Sequence, residues 1–351
     1  MNSVFRLCFS GLIALLFLSL TISAQEKKSN PKKGSNPKKG STSPKRVEIV
    51  DPKDVGPDYL IQGEYSGNLS GNSEEGKMGA QVIALGNDEF NVVLFKGGLP
   101  GDGWDGQHKM SCKAKMKENK AEVDDNDFQG TIANGKIELT KKNQSGRGKL
   151  TRVVRKSPME GKKAPNGAIV LFDGTSTDEW KNAKIIELSD GKVLSNGIDS
   201  KKTFQSFRLH VEFRLPYMPY ARGQGRSNSG VYLQNHYEVQ ILDSFGLKGL
   251  NNECGGLYTL SAPSVNMCYP PLQWQTYDID YTAPVFDSAG KKTKDAIVTV
   301  VHNGVKVQDK IALKRPTGGQ DNKESPLPGI LHLQSHGNKV YFRNVWIEEV
   351  K

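Results

Sequence analysis

Arg226-Ser-Asn-Ser-Gly-Val-Tyr-Leu-Gln-Asn-His-Tyr-Glu-Val-Gln-Ile-Leu-Asp-Ser-Phe245 is the stretch from which the fold can be read. Val231 and Leu233 alternate with Tyr232 and Gln234, and Val239 and Ile241 alternate with Glu238 and Gln240. A period of two marks strands with one apolar and one polar face. Residues opposite one another in an antiparallel pair share a face. A loop of odd length, Asn235-His236-Tyr237, therefore sets Gln234 beside Glu238 and gathers Tyr232, Gln234, Glu238 and Gln240 on one side. A solvated face would carry Lys, Thr and Ser. A tyrosine, two amides and a carboxylate suit a polyhydroxylated ligand.

Outward from this hairpin, the 351 residues leave room for two domains. Met1 to Ala24 holds Arg6, an apolar run over Leu12 to Leu20 and a small-residue end, the layout of a cleaved export signal. The run is short for a membrane span. Residues 25–46 form a basic low-complexity tail in which Ser29-Asn-Pro-Lys-Lys-Gly34 repeats at once, and a tail without apolar residues is expected to be disordered. Residues 1–46 carry +8 of the total net charge of +10. The folded part is thus close to neutral and gives no basis for nucleic-acid binding. The tail suits a solubilising spacer or a peripheral contact with an anionic envelope surface.

An exported protein meets an oxidising compartment, where cysteines tend to pair. Cys254 and Cys268 flank a loop rich in Gly, Pro and Ser, and their spacing predicts a disulfide; closing about 15 residues gives roughly 3 kcal/mol. Cys112 is left over and expected to be buried. No Cys/His spacing suggests zinc.

Residues 47–157 read as a small all-β accessory domain, a sandwich or open barrel of short alternating segments such as Phe90-Asn-Val-Val-Leu-Phe95. Its Gly-rich loop around Trp104 lacks the Lys-Ser/Thr and helix of a phosphate cradle. Lys156 to Pro165 is a linker by composition. Residues 168–351 carry nine or more strand-like segments and few helices, including Phe207-Arg-Leu-His-Val-Glu-Phe-Arg214 and the Asn303-Gly304 hairpin signal. The whole is an all-β chain whose C-terminal part is a jelly-roll β-sandwich of two antiparallel sheets.

Five motifs then occur in order: Leu171-Phe-Asp-Gly-Thr175, Arg226-Ser-Asn-Ser-Gly-Val-Tyr-Leu-Gln234, Tyr237-Glu-Val-Gln-Ile-Leu-Asp-Ser244, Trp274-Gln-Thr-Tyr-Asp-Ile279, and Leu333-Gln-Ser-His-Gly337 with Phe342-Arg-Asn-Val345. Together, over roughly 168–350, they resemble the 3-keto-disaccharide hydrolase family. The resemblance implies a concanavalin A-like jelly roll acting on glycosides already oxidised at C3. It hands over no catalytic residues, so roles are assigned here from chemistry.

Strand parity leaves His210, Glu212 and Arg214 opposite the apolar Leu209, Val211 and Phe213, and leaves His332 and Gln334 opposite Leu331 and Leu333. On a curved sheet these are expected to join Glu238 in one patch. A 3-keto sugar is acidic at C2, so its glycosidic bond can break by proton abstraction at C2 and loss of the C1 substituent. That requires a base and an acid, drawn from Glu238, His332 and Glu212. Arg214, Arg343 and Asn228 are the candidate enolate donors. Tyr232, Gln234, Gln240 and His336 complete the expected substrate-binding set. Ordinary hydrolysis would use a pair of carboxylates, Glu212 and Glu238. No cofactor is required, although Asp243 is a candidate calcium ligand. A non-catalytic carbohydrate-binding module would use the same amide and tyrosine face.

Overall fold

The computed structural model describes residues 47–71, 76–142, 145–321 and 323–350, so the export signal and basic tail predicted over residues 1–46 lie outside the described residues. The described residues are nearly all β. The first eight strands are β1 (Gly63–Ser70), β2 (Gly76–Ala84), β3 (Glu89–Lys96) and β4 (Lys109–Lys117), then β5 (Lys120–Asp124), β6 (Phe128–Ala133), β7 (Lys136–Lys141) and β8 (Arg147–Val153). Each pairs with the next and β1 also pairs with β8, which closes a barrel. The open barrel or sandwich expected from the sequence is thus corrected to a closed one. Closure leaves no sheet edge with unpaired backbone. Phe90, Val92, Leu94, Ile132, Ile137 and Cys112 fill its interior. The Trp104 ring packs edge-on against Phe95 and its Nε1–H donates to the His108 carbonyl.

The next strands are β9 (Ile169–Phe172), β10 (Trp180–Lys181), β11 (Ile185–Leu188), β12 (Gly191–Leu194) and β13 (Ile198–Phe204). They continue as β14 (Phe207–Arg214), β15 (Ser229–Leu233), β16 (Tyr237–Ile241), β17 (Trp274–Thr282), β18 (Val285–Phe286) and β19 (Lys292–Lys294). The last four are β20 (Ala296–His302), β21 (Val305–Leu313), β22 (Gly329–Leu333) and β23 (Tyr341–Glu349). Two sheets form the sandwich. One runs β10-β13-β22-β15-β16; the other runs β11-β12-β23-β14-β17-β20-β21, with β9 also on β23.

Between the sheets, Leu209, Val211 and Phe213 of β14 meet Val231, Val239, Ile241, Leu331 and Leu333 in one core cluster. Burying such a side chain contributes about 1.5–3 kcal/mol. The polar residues alternating with them therefore point away from the core, on two opposite outer faces. The Asn303-Gly304 turn forms as expected, both residues having positive φ and His302 facing Val305.

Barrel and sandwich interlock. Ile83, Val93 and Phe95 of the barrel join the sandwich core, and Tyr217 and Leu272 join the barrel core. The Tyr217 hydroxyl donates to Asp58 at 2.6 Å. The linker is likewise pinned down. Gly161 N–H donates to Glu212, Lys162 pairs with Asp278 at 2.7 Å, and Glu160 pairs with Arg343 at 2.8 Å.

The expected disulfide is corrected: Cys254 and Cys268 are free and fully buried. The two thiols lie beside each other, and Cys254 also meets the Tyr277 hydroxyl and Cys268 the Leu242 carbonyl. Cys112 is buried as expected.

Candidate active site

The hairpin turn is odd-numbered, as parity requires, but lies one residue earlier than expected. Leu233 faces Tyr237, so Gln234, Asn235 and His236 form the loop. Gln234 and Asn235 adopt positive φ, which Asn tolerates better than most residues. Gln234 thereby leaves the polar face, a correction to the expected set. Its Nε2 donates to the Phe204 carbonyl and its Oε1 accepts from Tyr281.

The polar face itself survives the shift. Glu238 stands directly opposite Tyr232, Tyr232 opposite His332, and His332 opposite Asp199. One residue from each of β13, β22, β15 and β16 thus makes a straight row across the five-stranded sheet. With strands about 4.8 Å apart, the row spans roughly 14 Å between its outer members. Its contacts run from end to end. His332 Nδ1 lies 2.6 Å from Asp199 Oδ1, the Tyr232 and His332 rings meet edge-on at 5.6 Å, and the Tyr232 hydroxyl donates to Glu238 Oε2 at 2.8 Å. The Gln320 amide nitrogen sits 3.3 Å from His332 Nε2. An amide nitrogen only donates, so Nε2 accepts and the imidazole hydrogen sits on Nδ1, facing Asp199.

Glu238 is 3 % exposed, and the neutral Tyr232 phenol is the side chain that donates to it. Burial raises its carboxyl to about 7 against the opposing effect of the Tyr232 hydrogen bond. The Tyr232 phenol is pushed up as well, first by burial and then by the Glu238 charge. The Glu238 carboxyl lies over Gly230; a Cβ there would meet Glu238 Oε1 at 2.2 Å, so glycine leaves the room for the carboxyl to lie here. Either side of this notch are Gln240, opposite Gly230, and Gln334, whose N–H donates to the Gly230 carbonyl. Gln334 Nε2 donates to the Tyr232 hydroxyl at 3.2 Å and Gln240 Nε2 to Gln224 at 3.2 Å. The carbonyl oxygens of both side chains are buried without a protein partner. Buried acceptors of this kind suit hydroxyl donors of a sugar. Asn228 stands beside them, its Nδ2 donating to Gln224.

A loop roofs the row. Thr317 Oγ1 accepts from Glu238 N–H at 2.8 Å, the Gly318 carbonyl lies 3.3 Å from the Tyr232 hydroxyl, and Gly319 lies against the same hydroxyl. Asp199, Gly230 and this roof were not singled out from the sequence. Asp199 and the roof lie far along the chain from the hairpin, and no local period reports their pairing. Gly230 alone had a local signal, a glycine inside a strand pattern that marks close approach.

Glu212, Arg214 and Arg343 are corrected to the other side of the sandwich, on the outer face of the eight-stranded sheet. Burial would raise Glu212. Hydrogen bonds from His210, Asn344, Gly161 N–H and Arg343 overcome it and hold the carboxyl at about 2. Arg343 Nε sits 2.7 Å from Glu212 Oε2. Arg214 pairs with Asp190 and its guanidinium lies over Trp274. These residues hold the linker and the sheet together. His336 is exposed in the turn after β22, and no contact ties it to the row. Asp243, the candidate calcium ligand, is engaged by Arg226 Nε at 2.6 Å. Among the described residues no three His, Cys, Asp or Glu side chains gather as a metal site.

The model of the 3-keto-α-glucoside-1,2-lyase-like domain matches residues 167–348. Among solved structures, a crystal structure of a candidate glycosyl hydrolase from Parabacteroides distasonis is 34% identical, covering 53% of this chain and 85% of that one, with a TM-score of 0.47. A second from the same organism is 22% identical, covering 53% and 94%, with a TM-score of 0.38. No functionally curated protein matches the chain.

Proposed function

The chain belongs to the 3-keto-α-glucoside-1,2-lyase-like family, and we propose that it cleaves 3-keto-glycosides by elimination across C1 and C2. The observation that carries this reading is the Asp199–His332–Tyr232–Glu238 row. Within it, two proton-transfer groups of different character face one ligand, which is how acid and base roles separate. His332, with its hydrogen held toward Asp199, keeps an Nε2 lone pair for a base. Glu238, raised to about 7, keeps a substantial protonated fraction at neutral pH, which an acid requires.

The step balances without water. With Gln320 displaced by the sugar, His332 Nε2 takes the C2 proton, and the electron pair delocalises onto the C3 oxygen. That pair then forms the C1–C2 double bond as the C1–O bond breaks, and the leaving oxygen takes the Glu238 proton. The products are the free alcohol and an unsaturated 3-keto sugar; solvent returns both side chains to their starting states. The Gln240 and Gln334 carbonyls accept sugar hydroxyls.

Paired-carboxylate hydrolysis fits less well. Glu212 lies on the other sheet, and Asp199 stands three strands away from Glu238 with its carboxylate engaged by His332 Nδ1.

The test is incubation with a 3-keto-disaccharide and with its unoxidised parent. Release of an unsaturated 3-keto sugar from the first alone is expected. Binding without turnover, or equal cleavage of the parent, would overturn the reading. The roles separate by pH. With Glu238 as the acid, kcat/KM falls as pH rises through about 7, and Glu238→Gln removes that limb. An acid-side limb that Glu238→Gln removes, with no limb on the alkaline side, would make Glu238 the base.

A further inference from the structure

Away from the row, a cleft of about 290 Å³ opens where the barrel meets the sandwich, between Ile83 and Lys113 on one wall and Arg222, Arg226 and Leu247 on the other. Arg226 is 5 % exposed. Its Nε is paired with Asp243 and its Nη1 reaches the Ala84 carbonyl at 3.4 Å, but its Nη2 is buried with no partner in the protein. A charged donor withdrawn from water and left unpaired calls for an acceptor.

The surrounding charge points the same way. Arg222 donates only to neutral carbonyls, those of Pro219, Ala221 and Leu85. Lys113 Nζ reaches the Asn91 side-chain oxygen at 3.2 Å. Three cations thus line the cleft against one carboxylate, Asp243, which is already engaged. Glu89 lies near enough to act on Arg222. Even so, burial and the Arg226 charge together lower the Arg222 pKa, so like charges face one another here without full compensation.

We propose that this cleft is a binding site for an oxyanion, a carboxylate or a sulfate, separate from the Glu238 row. The anion would sit against the buried Arg226 guanidinium, with Arg222 and Lys113 at the mouth.

The test is calorimetric titration of the full chain with sodium sulfate, sodium methyl glucuronide and neutral methyl glucoside. Binding of either anion, weakened by added salt, is expected, with none for the glucoside. Preference for sulfate assigns an inorganic or ester sulfate, and preference for the glucuronide a sugar acid; both support the site. Arg222→Ala and Lys113→Ala are expected to weaken the anion roughly tenfold or more each, a loss typical of charge-assisted hydrogen bonds. Arg226→Lys, which can still pair with Asp243 but lacks Nη2, should weaken it with little change in melting temperature. No binding of either anion below roughly 10 mM, equal binding of the glucoside, or unchanged affinity in all three variants would overturn the proposal.

Discussion

Glu238 and Glu212 each sit on a strand of the same sandwich, point away from the same core and are almost wholly buried. Their chemistry is opposite. Glu238 is held at about 7 and Glu212 at about 2. Burial pushes both up, so burial does not distinguish them. The partners do. Glu212 receives hydrogen bonds from Arg343, Asn344 and a backbone N–H with His210 Nε2 3.5 Å away, while Glu238 receives one neutral phenol, and the Gln240 and Gln334 carbonyls near it have no partners. A carboxylate with a full set of donors holds structure together. One left short of donors is prepared to exchange a proton.

The difference should appear most strongly in turnover. Glu238→Gln keeps the shape and removes the exchangeable proton, so it should cut turnover of a 3-keto-glycoside by at least ~10²-fold while far-UV circular dichroism stays unchanged. Near-normal turnover would remove Glu238 from the chemistry.

Stability against pH tests the same contrast. Between 4.5 and about 7 the unfolded chain has lost the Glu238 proton that the folded chain keeps, so this group makes stability fall as pH rises through that window. Spread over the shift, the loss is about 3 kcal/mol. In urea unfolding at pH 5 and pH 8, Glu238→Gln should gain stability relative to the parent by about that amount at the higher pH. Equal pH dependence in the two proteins would mean the raised value is wrong.

Glu212 runs the other way. Its contribution is present above 4.5 and is lost as pH falls from there through about 2. Glu212→Gln should cost about 2–3 kcal/mol at neutral pH, below the cost of breaking a fully buried pair because Arg343 keeps some contact with water. The folded fraction should retain normal turnover. A large loss of turnover at intact stability would bring the far face back into the reaction.

The smallest effect is expected at Asp199. Asp199→Asn turns an acceptor of the His332 Nδ1–H into a group that can also donate, loosening the tautomer. Turnover should fall about tenfold with melting temperature unchanged, as for removal of a carboxylate that orients a functional imidazole. No change would mean that His332 is oriented by Gln320 and its packing on Tyr232.

The sequence by itself determined which residues share a face. The alternation that buries Val231, Val239, Leu209 and Leu331 also points Tyr232, Glu238, Glu212 and His332 outward, because the period of two belongs to the strand and needs no partner. The slipped turn leaves this intact, since moving an odd loop along both strands preserves parity. Tertiary structure alone decided which outward faces belong together. Glu212 and Glu238 look alike locally and lie on opposite sides of the molecule because β14 pairs with β17 and β23, whereas β16 pairs with β15. Asp199 reaches His332 only through a pairing across more than a hundred residues. Register between such distant strands is set by closure of the whole sandwich core, so the row, its roof and the proton on Glu238 came into view only with the folded chain.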